Sequence, residues 1–379
     1  MTVKITKPEI NVREQLNELK KPAGVAGEAM LRAETPQEQQ ALIGLGRRNL
    51  LINGSMIVAQ RGTSFGPSVN VYYGLDRWKT SRYAATNFLV TQEDNSYSGE
   101  FASPHFIRVQ RQAGDTSANA LSLHQKIESQ TSKLTRGREV TFSFWYRTGV
   151  DYTAKVLRAD INGTTSTGSI SYWAYTAGGF LKSLFLEPTN NVWKKATLTY
   201  QVPNTVNELA VVFGWESPNL PSGTAGSNEY FDIAETQLEL GSVATPFEHR
   251  SYGEELALCE RYYQKSYDKD AYVTGSTSLS TVGSVDHYGS SDATNVLAQV
   301  YFRTQMRDAP TVTTYDPNSS NGGNAYAGRA YVASNSGTAS YNTTTNNIGS
   351  TGFRSYVPKN GAGWAAHRII FQWQAVAEL

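Results

Sequence analysis

Residues 140–146 read Val-Thr-Phe-Ser-Phe-Trp-Tyr, with phenylalanines 142 and 144 on one parity and Trp145 on the other. A period of two belongs to a strand with one face on a core, because successive side chains of a strand point to opposite faces. Downstream, Leu209-Ala-Val-Val-Phe-Gly-Trp215 is apolar on both parities. That pattern predicts a strand covered on two sides or lying in the middle of its sheet.

Working outward, further strands are expected at 86–92, 104–111, 120–127, 152–159, 170–175, 180–186, 195–202 and 230–240. Many short strands separated by Gly, Asn, Ser and Thr favour a two-sheet sandwich over an α/β fold. No Gly-rich nucleotide-binding motif or Walker lysine interrupts them. At 251 the texture changes, and Ser251-Tyr-Gly-Glu254 predicts a capped helix carrying Leu256, Cys259 and Tyr263. Strands are then expected at about 295–303, 310–315, 326–333 and 367–377, with polar loops at 316–325 and 334–352.

The stretch before the sandwich is harder to read. RNLLINGSMIVAQRGTS (48–64) breaks its apolar run at Asn53-Gly54, which rules out a helix and predicts a bent or bulged opening strand. Arg61 and Arg77, close in sequence to Asp76 and Trp78, are expected to tie this first loop to the sandwich through a buried pair or hydrogen bonds. Residues 1–46 form a separate leader. Ile5, Val12, Leu16 and Leu19 suggest a short amphipathic helix framed by Pro8 and Pro22, and Thr35-Pro-Gln-Glu38 starts a second. Neither buries a core alone, so the leader is expected to order against a partner surface.

Composition sets the outer bounds. The 379 residues carry 39% hydrophobic and 11% aromatic side chains, enough for more than one core, and a net charge of +1 gives no electrostatic reason to expect nucleic acid. A single cysteine, Cys259, excludes an internal disulfide and a thiolate cluster, and the five histidines are too scattered to nominate zinc. No apolar run approaches the ~20 residues of a membrane span. There is no apolar signal-peptide core, so synthesis in a cytoplasm is expected.

Taken in order, several blocks resemble the tail fibres and receptor-binding proteins of marine and cyanobacterial bacteriophages. They are NLLINGSMIVAQRG (49–62) followed by Leu75-Asp-Arg-Trp78, VTFSFWY (140–146), QLELGSVATPFEHR (237–250), EELALCERYY (254–263) and FRTQMRDAPTV (302–312). ITKPEINVREQLNEL (5–19) and GEAMLRAETP (27–36) resemble the leaders by which such fibres attach to the tail. The resemblance implies a mainly β chain in three parts. These are a helical or extended virion anchor (1–46), a carbohydrate-binding-module-like jelly roll (47–250) and a smaller strand-rich C-terminal domain (251–379) for oligomerisation and host recognition. It also implies a homotrimer in the virion, joined to a tail or adaptor protein through Ile5, Val12, Leu16 and Leu19. The implied function is binding of a bacterial surface glycan or other receptor. The alternative is a connector that never touches the host, and a glycan depolymerase is the weaker third.

Sugar binding needs flat apolar faces beside hydroxyl-reading polar groups. The richest candidate is Tyr172, Trp173 and Tyr175, flanked by Gly168 and Gly178-Gly179, with Trp145 and Trp215 as further platforms. The alternative for each is ordinary packing. Modules resembling this one often hold a structural calcium at an acidic residue of the last strand, here Asp232, with carbonyls near 53–55. Ile57 stands where a second acidic ligand is usual. Acidic residues near 216–235 show no glycosidase motif, there is no nucleophile elbow, and long β-helix repeats are absent, so no catalysis is expected.

Overall fold

In the computed structural model, which describes residues 32, 47–66, 71–82, 87–96, 99–166, 180–267, 285–288, 295–317, 327–334, 337–358 and 367–379, the period-two stretches become strands. The leader residues Ile5, Val12, Leu16 and Leu19, and the cluster Tyr172, Trp173 and Tyr175, lie outside the described residues. Residues 1–48 and 49–379 form two compact units, and all that follows concerns the second.

Its first part runs β1 (Ser64–Phe65), β2 (Val71–Tyr73), β3 (Lys79–Arg82), β4 (Phe88–Asp94), β5 (His105–Arg111) and β6 (Leu121–Ile127). A short α1 (Ser129–Lys133) follows, then β7 (Glu139–Thr148), β8 (Leu157–Thr164), β9 (Phe180–Leu186), β10 (Lys194–Gln201), β11 (Glu208–Trp215) and β12 (Tyr230–Leu240). They form two six-stranded antiparallel sheets, β1-β4-β5-β12-β7-β10 and β2-β3-β6-β11-β8-β9. The chain crosses repeatedly from one sheet to the other, which makes the unit a jelly-roll β-sandwich.

The two sheets meet over aromatic rings. Phe142 and Phe144 of β7 lie 5.4 and 4.8 Å from Phe213 of β11, and Trp78 lies 6.3 Å from Phe213. All four are fully buried. Strand β11 is apolar on both parities because it is central: Leu209, Val211 and Phe213 face the core, while Ala210 and Val212 are buried on the opposite face.

The opening stretch is not a strand. Residues 51–55 form bends and a turn, and the first strand starts only at Ser64. Asn53 and Met56 occupy the left-handed region at φ 57° and 59°. Asn53 pays for this with its side chain: Nδ2 donates to the carbonyls of Val58 (2.8 Å) and Asp76 (3.0 Å), and Oδ1 accepts from Val58 N (3.0 Å). The neighbouring glycine is required by space and not by φ. A Cβ at Gly54 would stand 2.2 Å from the Thr236 carbonyl oxygen. Thr236 N donates to Gly54 O at 3.0 Å, so the stretch lies against the irregularity in β12 between Ala234 and Gln237.

The second part begins with α2 (Tyr252–Glu260), whose N-cap Ser251 accepts from Glu254 N as its sequence predicts. Tyr263 leaves the helix for β13 (Tyr263–Lys265), and the strands β14 (Val285–Tyr288), β15 (Asn295–Tyr301), β16 (Thr311–Tyr315), β17 (Arg329–Ser334), β18 (Gly337–Asn342), β19 (Thr344–Gly349), β20 (Gly352–Pro358) and β21 (His367–Val376) follow. Strand β21 pairs with β13 and β16 along one half and with β14 and β17 along the other. Its Phe371 and Trp373 meet Phe353 in a second core. Most of the polar stretch 334–352, expected as loop, is strand instead. Its threonines are β-branched and suit a pleated backbone, and β19 pairs with β20, which carries Phe353 and Val357.

Arg61 and Arg77 do tie the first loop to a neighbour, but their partner is at the far end of the chain. Glu378 bridges both, at 3.0 Å from Arg61 Nη2 and 2.5 Å from Arg77 Nη1. Arg77 also donates to the Lys126 carbonyl at 2.7 Å. The guanidiniums stack on Tyr263 and Tyr262, 3.8 and 3.6 Å from the ring centroids.

Candidate functional site

The outer face of the first sheet carries an aromatic and charged groove. Its register sets Arg108 of β5, Asp232 of β12 and Arg147 of β7 side by side. Asp232 accepts from Arg108 Nε (2.8 Å) and Nη2 (2.9 Å) and from Arg147 Nε (2.9 Å) and Nη2 (2.6 Å). Burial works against the charge on Arg108, but the hydrogen bonds and charge of Asp232 outweigh it and hold Arg108 above its ordinary pKa. Arg108 stacks on Tyr230 at 3.7 Å, and Arg147 lies 4.6 Å from the Trp193 ring centroid.

Two loops finish the site. The segment between β4 and β5 is held by Asn95, whose amide donates to the carbonyls of Phe101 (3.2 Å) and Ser103 (2.9 Å). Across from it Glu235, at φ 43° in the irregular part of β12, accepts from the backbone N–H groups of Ala102 (2.9 Å) and Ser103 (3.0 Å). The turn before β10 is clamped by reciprocal bonds between Thr148 and Thr189 and by Tyr230, whose hydroxyl donates to Asn191 Oδ1 at 2.9 Å. Asn190 and Asn191 supply its left-handed backbone at φ 49° and 68°, a conformation asparagine tolerates better than most residues. That turn delivers Trp193 edge-on to Phe101 (4.9 Å) and Phe106 (5.3 Å).

Between the loops lies a groove of about 510 Å³, lined among others by Phe106, Trp193, Arg147, Asp94, Glu100 and Asn191. An indole and a phenyl group beside carboxylates, an amide and a guanidinium can pack a flat ring and hydrogen-bond its hydroxyls.

The sequence candidates fall differently. Trp145 reaches the same aromatic cluster, half-buried and 6.2 Å from Phe101, but does not line the groove. Trp215 is 2% exposed in the sandwich core, with Phe231 at 5.5 Å and its Nε1 donating to the Asn119 carbonyl, so it offers no platform. Asp232, the residue expected to meet calcium, has both its oxygens engaged by two guanidiniums, whose charges oppose a dication. Among the described residues no three His, Cys, Asp or Glu side chains are grouped to share a metal ion. Sequence reading missed Trp193, which follows a turn and belongs to no periodic pattern. Its only local sign is the Asn190-Asn191 pair before it.

On the outer face of the other sheet, Arg158 bridges Asp160 (Nε, 2.8 Å) and Glu216 (Nη1, 2.8 Å) beside a cavity of about 10 Å³. That space admits a water and not a sugar ring. Burial, opposed by Arg158 and Ser183, pushes the Asp160 carboxyl up to about 6.

No family model and no curated protein matches the sequence. Solved structures are similar to parts of the chain. Over 51% of its length the chain is similar to the enzymatically active domain of bacteriophage CBA120 tailspike protein 4, at 14% identity and a TM-score of 0.34, covering 21% of that chain. Over 47% it is similar to the C-terminal family 22 carbohydrate-binding module of Clostridium thermocellum Xyn10B, at 12% identity and a TM-score of 0.29, covering 99% of that chain. Over 43% it is similar to a carbohydrate-binding module of the β-sandwich superfamily, at 11% identity and a TM-score of 0.30, covering 57% of that chain. Scores this low leave the function to be argued from the groove itself.

Proposed function

We propose that this chain is a non-catalytic glycan-binding protein of a phage tail, and that the groove between Trp193 and Asp94 is where it holds a host-surface sugar. The observation that carries the binding reading is the groove's chemistry. A half-buried indole is braced edge-on by two buried phenylalanines, and the space beside it is ringed by Arg147, Asp94, Glu100 and Asn191. The bracing fixes the ring before any ligand arrives, which lowers the ordering cost of binding. The virion setting, the leader as tail attachment and the homotrimer are supported by the order of the resembling blocks along the sequence. Three copies of one weak site would raise avidity with no new contact.

Purified full-length protein applied to a glycan array and to host cells tests the reading. Trp193→Ala is expected to lower binding about tenfold or more, the equivalent of ~1.4 kcal/mol, with thermal unfolding run alongside to show that the variant, which also loses its packing on Phe101 and Phe106, is still folded. Unchanged binding by the variant would remove this groove from the function.

A further inference from the structure

A second groove, of about 420 Å³, opens at the end of the same sandwich and is lined by residues that include Ser55, His105, His249, Arg250 and Tyr252. We propose that it is a second sugar subsite continuous with the first, so that the bound molecule is a chain of neutral sugars reaching from Trp193 to Tyr252. The inference rests on the glycan-binding reading above and extends it to the form of the ligand.

Continuity comes from the seam between the grooves. Asp94, which lines the first, pairs in register with His105, which lines the second, and His105 Nδ1 stands 3.0 Å from Asp94 Oδ1. Glu235 spans the same seam. Its Oε1 anchors the backbone of Ala102 and Ser103 beside the first groove and lies 3.5 Å from His249 Nε2 beside the second.

The chemistry of the second groove fits a polyhydroxylated neutral ring. Each imidazole has one nitrogen near a carboxylate, 3.0 Å for His105 and 3.5 Å for His249, and an imidazole ring can donate to or accept from a sugar hydroxyl. Ser55 is 4% exposed and its Oγ has no hydrogen-bond partner, an arrangement that native structures normally complete with water or ligand. Tyr252, 43% exposed at the start of α2, offers a flat face. Arg250 adds no free charge for an acidic sugar. Its guanidinium is spent on the carbonyls of Asn49 and Leu51 and on the carboxylates of Glu248 and Glu255.

An array of neutral bacterial O-antigen and capsule fragments, graded from monosaccharide to hexasaccharide, distinguishes the two subsites with the full-length protein. Wild type should bind the longer fragments about tenfold more tightly than the short ones. Tyr252→Ala and Ser55→Ala should abolish that gain and leave short-fragment binding intact, whereas Trp193→Ala should weaken every length. If Trp193→Ala weakens binding but affinity is independent of length, or keeps its length dependence in both second-groove variants, the second subsite is refuted and the first-groove reading survives. If wild type binds no fragment of any length, both fall together. Thermal unfolding of each variant identifies any that has lost its fold, and the exposed Tyr252 ring makes that variant the more tolerant of the two.

Discussion

Replacing Glu378 with alanine should destabilise residues 49–379 by about 3–5 kcal/mol, far more than the position's place near the end of the chain suggests. Its carboxylate is 5% exposed and meets two guanidiniums whose side chains are 10% and 2% exposed. Burial opposes the charge on both arginines, and Glu378 is the largest influence restoring it. Without it Arg61 keeps the more distant charge of Asp76 and the Tyr263 ring, and Arg77 keeps the Lys126 carbonyl and the Tyr262 ring. Arg61 Nη1 and Arg77 Nε already lack partners, so no spare acceptor waits to take over. Flanking contacts hold the segment in place: Ala377 N donates to the Tyr262 carbonyl at 2.8 Å and the Tyr73 hydroxyl to the Leu379 carbonyl at 2.6 Å. The variant therefore cannot relieve the charges simply by swinging the strand end away. Urea unfolding followed by tryptophan fluorescence gives the loss, and a double-mutant cycle with Arg77→Met separates the pair from the truncation. Coupling of about 0.5–3 kcal/mol is expected for groups in one buried network. A loss below ~1 kcal/mol, the range of exposed pairs, would refute the claim that this carboxylate seals the C-terminal segment onto the sandwich.

Asp160→Asn should flatten the pH dependence of stability. The wild-type carboxyl is raised from 3.8 to about 6, mainly by burial, so it holds its proton more tightly folded than unfolded. Its contribution is complete below pH ~4 and is lost as pH rises through ~6, a change of about 3 kcal/mol at ~1.36 kcal/mol per unit. Unfolding midpoints compared between these limits check it, and parallel curves for the two proteins would contradict it. Gly54→Ala should cost at least the ~1–3 kcal/mol of overpacking, because the new Cβ meets a backbone oxygen that is itself hydrogen-bonded into place. A wild-type unfolding midpoint in that variant would mean that the opening stretch is not wedged against β12.

Much of the fold was legible because one face of each strand is apolar. The expected limits 180–186 and 230–240 coincide with β9 and β12, and the cap at Ser251 follows from residue types alone. Strand β8 was expected at 152–159 and lies at Leu157–Thr164. Its second half alternates Ile161 with Asp160 and Asn162, polar residues that are nonetheless buried on the outer face and so carry no apolar pattern to mark the strand. The site was less legible for a different reason. Arg108, Asp232 and Arg147 are brought together by register across three strands distant in sequence, and register is written in pairing, not in any local pattern. Trp145 and Trp215 lie within β7 and β11 yet take different fates, since the parity of each position decides between outer face and core.

The irregularity in β12 connects these observations. Between Ala234 and Gln237 the strand loses register with β7, and each residue freed from the ladder acquires another task. Thr236 turns its backbone to the opening stretch, exchanging contacts with Gly54 and accepting from the Asn49 side chain at 2.9 Å. Glu235 takes a left-handed conformation that an ordinary strand position would not reward, and its carboxylate gathers the loop beside one groove and faces His249 in the other. A regular strand would have sent that side chain to one face of the sheet and left the 101–103 loop with only the Asn95 amide to hold it from the β4 side. The break in the opening sequence at Asn53-Gly54 and the break in β12 are therefore two halves of one joint. The sandwich gives up a few ladder hydrogen bonds there, and the result is a rigid rim that both grooves share.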